Sequence, residues 1–482
     1  MKRYEKLVHD IATAIRSGVL APGEKLPSVR QACLNHKLSP ATVFRAYYEL
    51  ENLGLIRAQP KSGYYVSNHA IKQLASKTTP VPGQESTAVS ISDMVFSILG
   101  SIKDPDTVPL GSAFPWPGLF PLERLSRSLA HATRDMGPAA IVESLPPGNR
   151  DLRRQIARRY LMQGIEADVD SILITNGAFE ALNLCLEAVT KPGDLVAIES
   201  PAFYGCLQAL ERLQLKAVEI PVDPVLGMDL DYLEKILEKC PIRACWSMTS
   251  FQNPMGVSMP AERKQALVEL LTRHSIPLIE DDVYGELYFG MQEHRPAKAY
   301  DKEGYVMHCS SFSKTLAPGY RIGWALLPSR FEREVERLKV ITSLSTSTIA
   351  QAAIADFLQH GGYDRHLRRL RTKFELQQYQ YLHLIAQHFP AEAQVTRPHG
   401  GYFLWVALPE EVDALMLFQR ALEQGVSIAP GPIFSARRQC CNCIRINYSK
   451  PVDAEIERAF KTLGRLMGTL ERRDAAISAD ER

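Results

Sequence analysis

Ser310-Ser311-Phe312-Ser313-Lys314 closes a short apolar run, and Arg321 follows Lys314 by seven positions. A lysine after a serine means little alone, so its neighbours decide. Asp281 follows the apolar run at 276–279, with Tyr284 three residues later. Asn253 stands in Gln252-Asn253-Pro254-Met255-Gly256, and Thr175-Asn176-Gly177-Ala178-Phe179 joins an apolar run to a helical pattern. These are the parts that a pyridoxal 5'-phosphate site requires. Lys314 supplies the amine for a Schiff base. Asp281 keeps a pyridine nitrogen protonated, so that the ring acts as an electron sink, while Tyr284 and Asn253 donate to the 3-oxygen. Backbone amides of Ala178 and Phe179 at a helix start form a phosphate cradle, completed by Ser311, Ser313 and a two-pronged Arg321. Phe203 is a candidate to stack on the ring.

Strand ends must carry these residues. Short apolar runs at 172–174, 195–198, 244–246, 277–279 and 306–309 alternate with helical stretches such as 178–190 and 261–274. That alternation predicts an α/β layer with a mostly parallel sheet. Past residue 330 the chain becomes helix-rich and then returns to strands near 402–408 and 443–447, which predicts a smaller C-terminal α+β lobe. No internal repeat is visible.

The first 67 residues read differently. Tyr4, Leu7, Val8, Ile11, Ala12 and Ile15 form one helical stripe, with Gly18 as a stop. Pro22-Gly23 makes a turn, Ser28 caps a second helix, and Ser39-Pro40 starts a third that Gly54 ends. Gln59-Pro60-Lys61-Ser62-Gly63 separates two short apolar runs, as in a hairpin. Three helices and a hairpin make a winged helix-turn-helix. Its third helix, with Ser39, Thr42 and Arg45, is the expected major-groove reader; Arg30 on the second helix and Lys61 and Gly63 at the wing tip are expected at phosphates.

Residues 1–67 hold ten Lys or Arg against five Asp or Glu, whereas the whole chain carries a net charge of +2. A basic module on a slightly acidic body points to a polyanion such as double-stranded DNA. Residues 68–99 are polar around Thr79-Pro80-Val81-Pro82-Gly83 and read as a linker, leaving 100–475 as the cofactor-binding body. The nine cysteines are irregularly spaced; Cys440, Cys441 and Cys443 cluster without a matching CxxC pair or a close histidine, so they read as free thiols in a reducing compartment and no metal is expected. No apolar run reaches membrane-spanning length and no signal core follows Met1, so a cytoplasmic location is expected.

The head resembles the GntR regulators through Gly23-Glu24-Lys25-Leu26-Pro27-Ser28-Val29-Arg30, Ser39-Pro40-Ala41-Thr42-Val43, Leu53-Gly54-Leu55-Ile56 and Ser62-Gly63-Tyr64-Tyr65-Val66. The body resembles fold-type I aminotransferases through its NPxG, DxxY and SxSK…R motifs, in that family's order over roughly 100–470. That resemblance implies that Arg445, in Cys443-Ile444-Arg445-Ile446-Asn447, binds a substrate α-carboxylate. Head and body in one chain look like the MocR (PdxR-like) subfamily of GntR regulators, and Glu143-Ser144-Leu145-Pro146-Pro147-Gly148-Asn149 looks like its YdcR-like branch. The resemblance implies a homodimer with cofactor sites near the subunit interface. Many aminotransferase relatives place a tyrosine for the partner's phosphate where Glu143 stands here, a departure that weighs against efficient transamination. The expected function is a transcription regulator sensing pyridoxal phosphate or a reacting amino acid or amine. The alternatives are a working aminotransferase with an auxiliary head, and a dimerisation scaffold that uses its cofactor structurally.

Overall fold

The computed structural model describes residues 3–16, 19–59, 62–67, 72–74, 86–101, 106–137, 145–290 and 294–480. Its head consists of α1 (Arg3–Arg16), α2 (Val29–His36) and α3 (Pro40–Asn52) against a hairpin of β1 (Ile56–Gln59) and β2 (Gly63–Val66). The capping residues act as expected. Ser28 Oγ accepts the Gln31 N–H at 3.2 Å, and Ser39 Oγ accepts the Thr42 N–H at 3.3 Å with Pro40 in the first turn. Leu7, Ala12, Ala32, Val43, Tyr47, Leu50 and Ile56 share one small core, and the Tyr47 hydroxyl donates to the Pro27 carbonyl at 2.7 Å. The turn at Gly23 leads into a segment that lies along β2, with Leu26 N–H bonded to Tyr64 O and Val66 N–H to Glu24 O, each at 2.8 Å.

The body is built on a mixed sheet. Its strands run in the order Thr87–Ala88, Lys216–Asp223, Leu195–Ser200, Ile242–Ser247, Leu278–Asp281, Val306–Ser311, Ile322–Leu326 and Ile172–Asn176. The central strands are parallel and buried on both faces, which is why they read as unbroken apolar runs. Within this mostly parallel sheet Ile322–Leu326 lies antiparallel between Val306–Ser311 and Ile172–Asn176. That reversal brings Arg321, at its start, to the sheet end where Ser311 and Asn176 lie. A second sheet, ordered Ala429–Pro430, Cys443–Asn447, Phe403–Ala407, Gln394–Val395 and Lys72–Gln73, forms the smaller lobe.

Parts of the stretch read as a free linker are built into the body. Lys72–Gln73 pairs in parallel with Gln394–Val395, and Thr87–Ala88 pairs antiparallel with the start of Lys216–Asp223. The helix Ser92–Ser101 buries Val95 and Ile98 in the main core, and the Glu211 carboxylate accepts the N–H groups of Ile91 and Ser92 at its start. Two-residue edge strands carry no periodicity, so composition alone misreads them as loop.

The helix Tyr363–His388 spans head and site. Phe374 packs against Tyr402 with ring centroids 5.4 Å apart, whereas Tyr379 is buried in the head's apolar core. Beside it His9 of α1 meets Glu375 at 3.5 Å. Among the described residues, no helix is long and apolar enough to cross a membrane.

Candidate cofactor site

Strand ends gather the expected residues. Asp281 ends one strand and pairs with Cys309 of the next; Ser311 pairs with Gly323, and Ile322 with Asn176. Asp281, Ser311, Arg321 and Gly177 therefore share one end of the sheet, and Lys314 follows Ser311 by three residues. The turn is tight. A Cβ at Gly323 would lie 2.3 Å from the Gly177 carbonyl carbon, and one at Gly177 (φ +81°) would lie 2.4 Å from an Arg321 terminal nitrogen. The helix Ala178–Val189 begins directly after Gly177 with no side-chain cap, leaving its first N–H groups available to an anion. Arg321 is exposed beside it and donates to the Asn176 carbonyl at 3.1 Å.

Lys314 Nζ donates to the Ala113 carbonyl at 2.8 Å and lies 4.7 Å from the Phe114 ring centroid and 5.9 Å from that of Tyr284. Burial, reinforced by Arg445, lowers its amine to about 7, while Asp281 pulls the other way. Burial raises Asp281 to about 7, opposed by the Val283 N–H. A lysine that is partly neutral at physiological pH is ready to attack an aldehyde. The sign is direct: below its pKa the amine is protonated and unreactive, and above it the amine is free. Cofactor capture by the apoprotein should thus quicken with pH and level off above a midpoint near 7. Stopped-flow absorbance measures this, and a rate still climbing toward the ordinary lysine range would contradict it.

Arg445 is fully buried in an inner strand of the smaller lobe's sheet, between Ala429–Pro430 and Phe403–Ala407. It donates to Asn253 Oδ1 at 2.8 Å and to the Gly111 carbonyl at 2.6 Å, between the rings of Phe403 and Phe434. Among the described residues no carboxylate lies within 4 Å of it. Among the described residues, four buried polar atoms in this region lack a hydrogen-bond partner: Asn253 Nδ2, Asp281 Oδ1, Ser313 Oγ and Arg445 Nε. Buried polar atoms are seldom left so, and these four suit a pyridine nitrogen, a ring oxygen, a phosphate and a carboxylate. The residues therefore fit pyridoxal phosphate carrying an amino acid. Phe203 caps the helix Tyr204–Arg212, its ring beside that of Tyr204 and, with that of Phe179, over Gly205.

A strap that the sequence does not single out covers the lysine. Asn447 Nδ2 donates to the carbonyls of Ser112 and Phe114, Trp116 N–H to Ser449 Oγ, and Tyr402 to the Ala113 carbonyl. The dense Gly, Pro and aromatic run at 111–120 was the available signal. In the head, Arg30 is exposed, Gly63 has φ +114°, and the Ser39 and Thr42 hydroxyls bond to each other at 2.8 Å. Arg45 is exposed, with its guanidinium 4.3 Å from the Tyr4 ring centroid. Phe44 and Tyr48 are exposed on the same helix, and sequence reasoning does not single them out. Lys61 and Glu143 lie outside the described residues.

Residues 126–463 match the family model for aminotransferase class I and II, and residues 3–66 match that for bacterial regulatory proteins of the gntR family. The chain is 45% identical over 467 residues to the HTH-type transcriptional regulator YdcR of Escherichia coli, covering 97% of this chain and 99% of that one. It is 39% identical to YjiR of the same organism, covering 96% and 98%. Among solved structures, the multiple substrate aminotransferase of Thermococcus profundus superposes with a TM-score of 0.73 at 28% identity, covering 79% of this chain and 95% of that one. LysN of Thermus thermophilus, complexed with N-(5'-phosphopyridoxyl)-L-leucine, gives 0.71 at 29% identity, covering 80% and 100%. The cofactor of the body is pyridoxal 5'-phosphate, and the chain belongs to the MocR-like subfamily of GntR transcription regulators, a DNA-binding head joined to a fold-type I aminotransferase body.

Proposed function

We propose that the chain works as a cytoplasmic homodimer that reports, through its DNA affinity, the presence of pyridoxal phosphate or of an amino acid or amine that reacts with it. The observation that carries this reading is the helix Tyr363–His388. It places Phe374 against Tyr402, which bonds to the carbonyl that also receives Lys314, and Tyr379 in the core of the head. A change at the lysine thus has a packed route to the DNA-binding module. A ligand shifts such an equilibrium only by binding two arrangements unequally, and release of the Lys314 amine from the Ala113 carbonyl is a contact that differs between them.

Bound pyridoxal phosphate supplies an aldehyde and an electron-withdrawing ring. The chain's own residues do the rest. Lys314 would supply the amine that holds the aldehyde. Asp281 holds a proton on the ring nitrogen, Asn253 and Tyr284 hold the ring oxygen, and Phe203 covers the ring. Ala178, Phe179, Ser311, Ser313 and Arg321 seat the phosphate, and Arg445 takes the carboxylate of an amino acid. In the head, α3 enters the major groove with Ser39, Thr42 and Arg45, while Arg30, Lys61 and Gly63 hold the backbone. Arg45→Ala should cost about 1–3 kcal/mol of specific DNA affinity, read by fluorescence anisotropy at fixed salt.

The test selects a DNA site with the full-length holoprotein and measures its affinity with and without a panel of amino acids and amines. At least one ligand should change it severalfold, and Tyr379→Ala should blunt that change while leaving the cofactor spectrum intact. Equal affinity for apoprotein, holoprotein and every ligand would overturn the proposal. Arg445 also suits a working aminotransferase, a second reading that multiple-turnover amino transfer to a 2-oxo acid would favour.

A further inference from the structure

A cavity of about 620 Å³ lies between residues 255–264 and residues 396–399, and neither Lys314, Asp281, Asn253 nor Arg445 lines it. Its volume is that of a small-molecule site. Lys264 stands in its wall, 1% exposed, with Nζ donating to Ser250 Oγ at 2.6 Å and to the Arg295 carbonyl at 2.8 Å. An ammonium has three N–H donors, so one remains. Among the described residues no carboxylate comes within 4 Å of it; Glu280 and Asp282 act from farther off. A buried charge without a close counter-ion is costly and is uncommon outside functional sites. His294 and His399 line the same cavity, and burial together with Lys264 and His399 holds His294 down to about 4. Arg397 lines it as well, whereas among the described residues Glu262 is the single acidic one in the lining. The helix Ala261–Arg273 also starts there without a side-chain cap.

We infer that this cavity is a second small-molecule site, separate from the cofactor, for a compact anion bearing a carboxylate or a phosphate. It has two routes to the rest of the molecule. Gly256, in its wall, ends the loop that begins at Asn253, and a Cβ on it would lie 2.8 Å from Pro398. The Pro398 carbonyl in turn accepts Gln378 Nε2 at 2.8 Å, from the helix that carries Tyr379 into the head. An anion between these segments bears on both the Asn253 loop and the head's supporting helix.

Isothermal titration calorimetry on the full chain tests this, with the cofactor fixed on Lys314 by borohydride so that the first phosphate seat is filled. Inorganic phosphate and succinate are titrated separately. One of them should bind saturably, phosphate for a phosphorylated ligand and succinate for a dicarboxylate. Lys264→Met should weaken that binding about tenfold or more through loss of a charge-assisted donor. Glu262→Gln, at an exposed position, should strengthen it about two- to threefold by removing a like charge, an effect that misfolding cannot imitate. Absence of saturable binding by both anions would overturn the inference, as would an affinity unchanged by either substitution; if Lys264→Met does not fold, Glu262→Gln decides alone.

Discussion

Lys314→Ala should abolish covalent retention of pyridoxal phosphate while leaving the protein at least as stable as before. After borohydride treatment and gel filtration, the wild-type chain should keep the cofactor absorbance and the variant should lose it entirely. The remaining groups, Arg321, the uncapped helix start at Ala178 and Asp281, should still hold the cofactor reversibly, so the variant should bind it without fixing it. The stability half of the prediction comes from the amine's surroundings. Burial and two guanidinium groups, Arg445 and Arg321, act against its positive charge, whereas Asp281 and the Ala113 carbonyl favour it. Removing an amine held against its preference relieves the apoprotein, as expected where a site is arranged for chemistry rather than for packing. A thermal midpoint of the apo variant well below that of wild type would show that Lys314 is structural. The same variant separates sensing from scaffolding. If DNA affinity responds to amines as strongly without Lys314 as with it, capture by the lysine is not the signal.

The residues that make this prediction possible are legible in the sequence for a physical reason. Asp281, Ser311 and Asn176 stand at ends of strands buried on both faces, and such strands leave continuous apolar runs that mark their own ends. Head caps are legible as well, because Ser28 and Ser39-Pro40 are local chemistry. What depends on long-range contact is not. The strap at Ala113 and Phe114 reaches Lys314 across 201 residues, and the Gly, Pro and aromatic run around it marks an unusual loop without naming the lysine as its partner. Tyr379 looks like one more core aromatic on a mixed helix until the head is seen around it. The edge strands Lys72–Gln73 and Thr87–Ala88 are too short to show a period, so composition draws the linker too long. Arg445 emerges by resemblance, since a lone arginine in an apolar strand does not by itself reveal a buried guanidinium without a counter-ion.

Replacing that arginine should separate amino acids from simple amines. In Arg445→Leu the apolar side chain keeps part of the volume between Phe403 and Phe434, while the guanidinium is lost. Breaking a buried, hydrogen-bonded ionic contact costs about 2–5 kcal/mol, so half-saturating concentrations of amino acids should rise from about thirtyfold to a few thousandfold, followed through the cofactor spectrum. A primary amine without a carboxylate should lose little, because it makes no use of the guanidinium. Asn253 Oδ1 and the Gly111 carbonyl each lose a donor, at about 1–3 kcal/mol for a buried group left unpaired, so the variant should unfold at a lower temperature than wild type. Asn253 also loses what fixes its amide. With Oδ1 bonded to Arg445, Nδ2 is buried without a partner among the described residues, which leaves it free to donate to a ring oxygen. Loss of the positive charge should meanwhile raise the Lys314 amine above its value of about 7, so that the midpoint of cofactor capture moves to higher pH. Equal losses for amino acids and for simple amines would instead place the effect of Arg445 on Asn253 and the lysine, and leave the carboxylate without its seat.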